Sequence, residues 1–241
     1  MAQLPRLLAT SDIHSPEYLQ RFVAAVNKAR ESKDRPCLVL LAGDIVDRGN
    51  VQAARPVVEL LSSLGSKIVA TFGNDEYQET WDAFRSQYPE VDWLVDELRV
   101  YSCGSASVSV VGTPGALDEP TRWQRQHVPG IEEVYRRRVD AVAELLRQAK
   151  REGSVTVLLS HYGLARATLK GEDPRTYPML YSSRMEKVVA ELKPSLAVHG
   201  HAHRGQPFAL VGGVPVYNVA FPVNWSLVEL RQARVGLEAF L

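Results

Sequence analysis

The chain has 241 residues, 45% of them apolar and 23% charged, with 28 basic residues balancing 28 acidic ones. Such a chain fits one large α/β domain, expected over residues 1–241, with a substantial core. The charge balance excludes a bulk-basic surface for duplex nucleic acid and an acidic tail, and no apolar run reaches membrane-spanning length.

Two cysteines are present, Cys37 opening one apolar run and Cys103 ending another. Each reads as a core residue rather than half of a disulfide, which suits a reducing cytoplasm. The N-terminal stretch MAQLPRLLAT has no long apolar region and does not read as a signal peptide.

Residues 7–9 form a short apolar run ending in TSDIH. Ser15 and Pro16 read as the N-cap and first residue of a helix with Tyr18 or Leu19, Phe22, Val26 and Ala29 at helical spacing. Residues 38–42 (LVLLA) read as a buried strand ending in GDIVDRGN. Asn50 would cap a helix to Leu64, closed by Gly65 and kinked or shortened by Pro56. A third strand, 67–72, ends in GNDE, and Tyr77, Trp81, Phe84 and Tyr88 share one face of a following helix. This βαβαβα order argues for a largely parallel, helix-covered sheet whose ligands lie beyond the strand ends.

Residues 99–101 and 107–111 read as two strands joined by a Gly104-Ser105 turn. Residues 113–127 follow neither period and read as a long loop. An amphipathic helix follows, with Val134, Val142, Leu145 and Ala149 apolar and Gly153 as its stop. Residues 155–159 are a buried strand ending in SHYG, and 166–181 a second long loop, of the kind that is often functional. Ser183 and Glu186 suggest a capping box for a helix ending before Pro194. Residues 196–198 run into HGHAHRG, and the tail from 207 to 241 reads as an antiparallel meander.

The chain holds six histidines, and five of them, His14, His161, His199, His201 and His203, follow expected strands directly. Packing explains one such histidine well and five poorly. With Asp12, Asp44 and Asn74 nearby, they make the imidazole and oxygen set that borderline divalent metals prefer. Asp12 and His14 are one residue apart and project to one side of extended backbone, as do His201 and His203. Even without His199, seven candidates exceed one tetrahedral site. A bridging carboxylate would let two metals share them, roughly 3.5–4 Å apart, the usual clamp for in-line displacement at phosphorus.

The order D-x-H (Asp12, His14), G-D-x-x-D-R-G (Gly43 to Gly49), G-N-x-[DE] (Gly73 to Glu76), a lone His161 and G-H-x-H (Gly200 to His203) resembles the calcineurin-like metallophosphoesterase superfamily. Within it the chain is similar to the compact Icc-like phosphoesterases. The resemblance implies a four-layer α/β/β/α sandwich with mixed sheets. It implies that Asp12, His14 and His203 hold one metal, that Asn74, His161 and His201 hold a second, and that Asp44 bridges them. Mn²⁺ is the first candidate, with Fe, Zn²⁺ and Ni²⁺ compatible with the same set. His199 matches no ligand position and is expected to orient a ligand, with a strand-end core residue as the alternative.

The implied chemistry is attack of metal-bound hydroxide on a phosphoester, with the metals neutralising the phosphoryl oxygens. Most members carry a histidine after the motif's asparagine as general acid; here the residue is Asp75. Two cations should keep an aspartate ionised, so it would be a poor acid. The expectation is a phosphodiesterase, or an enzyme for acidic leaving groups. Asp75 as a plain helix cap weighs equally against a catalytic role. Glu76 is expected to support the following helix turn or a ligand.

Arg48 could grip phosphate bidentately or simply pair with Asp47. Arg122 and Trp123, with Arg125 and His127, could hold a nucleotide, or the loop could pack on its own domain. Tyr162, beside His161, could touch substrate. A phosphomonoesterase, either a nucleotidase or a protein phosphatase, and a non-catalytic metal-binding scaffold remain as alternatives. The expected substrate is a small phosphoester, with a nucleotide among the candidates, and no membrane.

Overall fold

The computed structural model describes residues 5–152 and 155–231. Four parallel strands open the chain: β1 (Leu7–Thr10), β2 (Leu38–Ala42), β3 (Lys67–Thr71) and β4 (Val91–Trp93). Helices α1 (Leu19–Arg30), α2 (Arg55–Ser62) and α3 (Trp81–Gln87) connect them. Next, β5 (Glu97–Cys103) forms an antiparallel pair with β6 (Ala106–Thr113). The chain continues through α4 (Arg122–His127), α5 (Ile131–Glu152), β7 (Val155–Ser160), α6 (Ser183–Leu192) and β8 (Leu196–His199). It closes with β9 (Phe208–Val211), β10 (Val214–Asn218), α7 (Phe221–Asn224) and β11 (Val228–Glu229).

Two sheets result, one ordered β11-β1-β2-β3-β4 and the other β5-β6-β7-β8-β10-β9. The strands alternate in what they face. Leu8, Val39, Leu41 and Ile68 meet Phe22, Val26, Leu61 and Phe84 of the first helices. Their neighbours Leu7, Leu38, Leu40 and Val69 point the other way, onto Val108, Val110, Val157 and Val198 of the second sheet. That sheet turns Val111, Leu158 and Ala197 towards Val142, Leu146 and Val189 of α5 and α6. Both faces of the central strands are therefore buried, which is why LVLLA reads as an unbroken apolar run. The four layers are α/β/β/α. Leu40→Ala, at the fully buried sheet–sheet interface, should cost about 2–5 kcal/mol.

Several expected elements differ. Cys37 and Cys103 form a disulfide, with Cα atoms 5.7 Å apart. They lie just before β2 and at the end of β5, in different sheets, so neither apolar run alone reveals that the sandwich brings them together. The bond removes the free-thiol argument for a reducing compartment. Among the described residues no helix is long and apolar enough to cross a membrane.

Ser15 and Pro16 do not start α1. The backbone there runs sideways along the second motif, with His14 N–H donating to Asp44 O at 3.1 Å and Ser15 N–H to Ile45 O at 2.9 Å. The helix begins only at Leu19. After Asn50 a 3₁₀ turn, Val51–Ala54, precedes α2, and Pro56 sits in the helix's first turn, where its missing N–H has no partner to lose. Within the expected loop 113–127, Thr121 and Gln124 make a capping box that starts α4. The cap of α6 is Ser182, not Ser183, and Glu186 instead accepts from Arg166 N–H.

The tail is no meander. Among its described residues only β9 and β10 form a hairpin; β10 runs parallel to β8, and β11 leaves to join β1 in the other sheet. The expected stop at Gly153 and the tail beyond 231 lie outside the described residues.

Candidate metal centre

Five strand ends meet at one edge of the sandwich. Asp12 follows β1, Asp44 follows β2, Asn74 follows β3, His161 follows β7, and His201 and His203 follow β8. The backbone bends hard to aim them. Asp12, His14, Asp44 and His201 all have positive φ, between 42° and 67°, a strained region for non-glycine residues that persists where the surroundings enforce it. Close approach explains two glycines: a Cβ on Gly73 would collide with Asp44 Oδ1, and one on Gly200 with Asp12 Oδ2.

The ligand atoms gather in two groups. Asp12, His14 and His203 offer atoms that all lie within 4.8 Å of one another, and so do Asp44, His161 and His201. Asn74 joins the second group, its Oδ1 lying 3.0 Å from His161 Nε2. His14 Nε2 stands between the groups, 3.9 Å from both Asp12 Oδ1 and Asp44 Oδ2.

Hydrogen bonds hold the rings for this arrangement. His161 Nδ1–H donates to Ala42 O at 2.8 Å, leaving the lone pair of Nε2 facing Asn74 and Asp44, 3.5 Å from the latter's Oδ2. His14 Nδ1–H donates to Asp75 Oδ2 at 3.2 Å, so Nε2 carries the lone pair. Burial keeps the His161 imidazole below its ordinary pKa and pushes His201 down to about 3, so both are neutral, as ligands must be.

The carboxylates are crowded. Burial and the negative charges of Glu76, Asp12 and Asp75 push Asp44 well above the usual range. Asp12 goes the other way: burial would raise it, but the hydrogen bond from His203 and the charge of nearby imidazoles hold it well below. The residues fit a pair of cations. His14 Nε2 is buried and has no hydrogen-bond partner, although it lies between two buried carboxylates, and the imidazole, carboxylate and amide donors suit borderline divalent ions.

Glu76 does more than the sequence suggests. It is buried, and its carboxylate accepts from the N–H groups of Gly73, Asp44, Ile45 and Val46 at 2.6–3.2 Å. It thus ties the loop after β3 to the loop after β2 and sets the spacing of Asn74 and Asp44. The signal was its place three residues after Gly73; the four donors come from a loop some thirty residues earlier or from Gly73 itself.

Of the expected substrate residues, Arg48 and Arg122 are exposed and Tyr162 is buried against the candidate ligands. Arg48 has an 84% exposed side chain and pairs with Asp47 at 3.7 Å. Arg122 is exposed at the start of α4. Tyr162, expected to touch substrate, is buried instead. Its ring packs against His161 and His201, and its hydroxyl accepts from Gln124 Nε2 at 2.9 Å. Trp123 stacks on His127 with centroids 4.6 Å apart. His199 is fully buried, bonded to Thr168 Oγ1 and Gly200 O, each at 2.8 Å. Both its nitrogens are occupied without touching a ligand side chain. Asp75 bonds His14, its N–H donates to Asp44 Oδ1 at 2.8 Å, and it accepts from Asn74 Nδ2 at 3.1 Å. It contacts three candidate ligands and, with Asp47 and His14, forms a third group within 4.8 Å.

A four-layer sandwich with two facing ligand groups at its strand ends is the architecture of a dinuclear metallohydrolase. The match to the calcineurin-like phosphoesterase family model covers residues 5–205, and the chain belongs to that family of metal-dependent phosphoester hydrolases. No protein of curated function matches the sequence. Among solved structures, phosphopantetheinyl hydrolase (PptH) from Mycobacterium tuberculosis is similar over 99% of each chain, with a TM-score of 0.69 and 16% identity. A putative 5′-nucleotidase from Staphylococcus aureus, in complex with α-ketoglutarate, matches 88% of this chain and 48% of its own, with a TM-score of 0.60 and 14% identity. GAP50, the anchor in the inner membrane complex of Plasmodium, matches 96% of this chain and 77% of its own, with a TM-score of 0.59 and 8% identity. At these identities the likeness is one of fold.

Proposed function

We propose that the chain is a phosphoesterase that works with two divalent cations, manganese the first to try, and that it prefers phosphodiesters and esters of acidic leaving groups. Asp12, His14 and His203 would hold one cation, Asn74, His161 and His201 the other, and Asp44 would be shared. When bound, such a pair lowers the pKa of a water and neutralises charge on the phosphoryl oxygens. The protein's own part is to keep His161 and His201 neutral through burial, orient His161 and His14 through Ala42 O and Asp75, and hold the loops together through Glu76.

The preference rests on one observation, the hydrogen bond from His14 Nδ1 to Asp75 Oδ2. Burial pushes Asp75 up, but the bond from His14 and its charge, with Asn74 donating as well, hold the carboxyl below its ordinary value. At neutral pH Asp75 is an acceptor with no proton for a leaving alkoxide. General acid catalysis is worth about 10²–10⁴ in rate, and basic leaving groups lose most without it. Asp75 is therefore a positioning residue for His14. Arg122, exposed on α4, is the candidate contact for the far end of a substrate; α4 is tied to the site through Gln124 and Tyr162.

The test compares an aryl diester, a 2′,3′-cyclic nucleotide and an aryl monoester with manganese present. A large preference for the monoester would sink the leaving-group argument. Asp75→Ala should weaken manganese binding to the substrate-free protein by about 10–100-fold, as loss of a ligand's outer partner does. Unchanged metal affinity would remove Asp75 from that role.

A further inference from the structure

Trp225 ends α7 in the left-handed conformation, with φ +49°, and its N–H bonds Phe221 O at 2.7 Å. Glycine usually fills such a cap, and a bulky side chain there is strained. The indole is not core filling, since the residue is 42% exposed. Three side chains hold it. Tyr18 and Phe221 meet it edge-to-face with ring centroids 5.6 and 5.5 Å away, and the Arg21 guanidinium lies over the ring at 4.3 Å. Arg21 makes no ion pair or hydrogen bond among the described residues. A purely structural cap would be met by glycine without strain, so the ring itself needs a reason.

The location supplies one. Tyr18 is edge-on to His14 with centroids 6.3 Å apart. Helix α7 begins where Phe221 N–H bonds Ser11 O, next to Asp12. A path of rings thus runs from a candidate metal ligand out to solvent at the rim of the site. It ends in an exposed indole and a cation that forms no ion pair among the described residues, with the Glu17 carboxylate on the Tyr18 hydroxyl.

We propose that Tyr18, Arg21 and Trp225 form a binding subsite for a planar heteroaromatic arm of the phosphoester, a nucleobase being the closest chemical match. The indole is the stacking platform, since every base presents a π face to it. The guanidinium, planar and weakly hydrated, covers the platform and gives way to the base, where it meets the anionic backbone of the ligand. The subsite rests on the phosphoester reading of the neighbouring ligands and names the substrate class for it.

The experiment uses the manganese-reconstituted chain and two probes, adenosine 5′-monophosphate and ribose 5-phosphate, which differ in the base. Binding is read by calorimetry. The adenine compound should bind more tightly by roughly 5- to 160-fold, the range of one base–aromatic stack. Trp225→Gly, whose backbone takes this φ without strain, should bring that ratio close to one, and Trp225→Phe should restore most of it. Equal binding of both probes by the wild type, or an intact ratio in Trp225→Gly, would overturn the proposal. A base preference without hydrolysis of any ester supports the subsite and sinks the phosphoesterase reading. Hydrolysis without a base preference does the reverse.

Discussion

Asp12, Asp44 and His161 sit directly beyond strands with their side chains almost wholly buried, whereas Arg48 and Arg122 stand on connecting segments in solvent. The first group is spaced by the register of parallel strands: Leu40 lies beside both Ala9 and Val69, and the loops beyond are cross-tied by Glu76. Nothing comparable spaces the second group. Arg48 has only a neighbouring aspartate, and an exposed pair of that kind is worth about 0–1 kcal/mol. The difference teaches where precision comes from in this fold. Strand ends can place a ligand atom accurately; the rim must be ordered by whatever binds there.

The largest expected effect breaks the buried side. His201→Ala removes a candidate ligand from the Asp44–His161–His201 group, and activity should fall by more than the about 100-fold that a lost outer partner costs. Metal analysis should then find one site lost. Full activity would mean that the second group holds no catalytic ion.

Glu76→Ala comes next. It leaves four buried N–H groups without their acceptor, and at about 1–3 kcal/mol for each unsatisfied group the loss should reach about 4 kcal/mol or more. Denaturant unfolding measures it. A change below 1 kcal/mol would show that water replaces the carboxylate and that the loops are not clamped by it.

Breaking the Cys37–Cys103 bond sharpens the comparison from outside the site. The bond closes a separation of 66 residues, and its loss should cost about 2–5 kcal/mol. Because the candidate ligands are spaced by strand register, manganese affinity of the still-folded Cys37→Ser protein should change little. Loss of metal binding without unfolding would show that the bridge between the sheets also sets the site.

Arg48→Ala is the smallest. With only Asp47 as partner it should shift stability by less than about 1 kcal/mol. A fall in kcat/KM beyond about tenfold would bring Arg48 onto the substrate, since charge-assisted hydrogen bonds contribute about 1.5–3 kcal/mol.

Much of the site was legible because its chemistry is written in adjacent residues. Asp12 and His14, and His201 and His203, are each a local pair whose spacing already implies a shared face, Asn74 follows a glycine as Asp44 does, and each follows an apolar run long enough to recognise as a strand. The four-layer order came from the family resemblance; the alternating short apolar runs and amphipathic stretches by themselves argued only for a largely parallel, helix-covered sheet. Helix boundaries were less so. Ser15 has the chemistry of a cap, yet its backbone is committed to Ile45.

What remained hidden depends on residues far apart in the chain. The disulfide joins the starts and ends of strands in different sheets, the Glu76 carboxylate meets donors of the preceding motif, and Trp225 reaches Tyr18 across more than two hundred residues. By itself the sequence determined which side chains could bind metal and that they follow strands, because short-range spacing and periodicity carry that information. Only the tertiary structure decided what those side chains touch. Asp75 accepts a hydrogen bond from His14, and Tyr162 is buried behind His201, because the partners of both are chosen by strand register and packing rather than by neighbours in sequence.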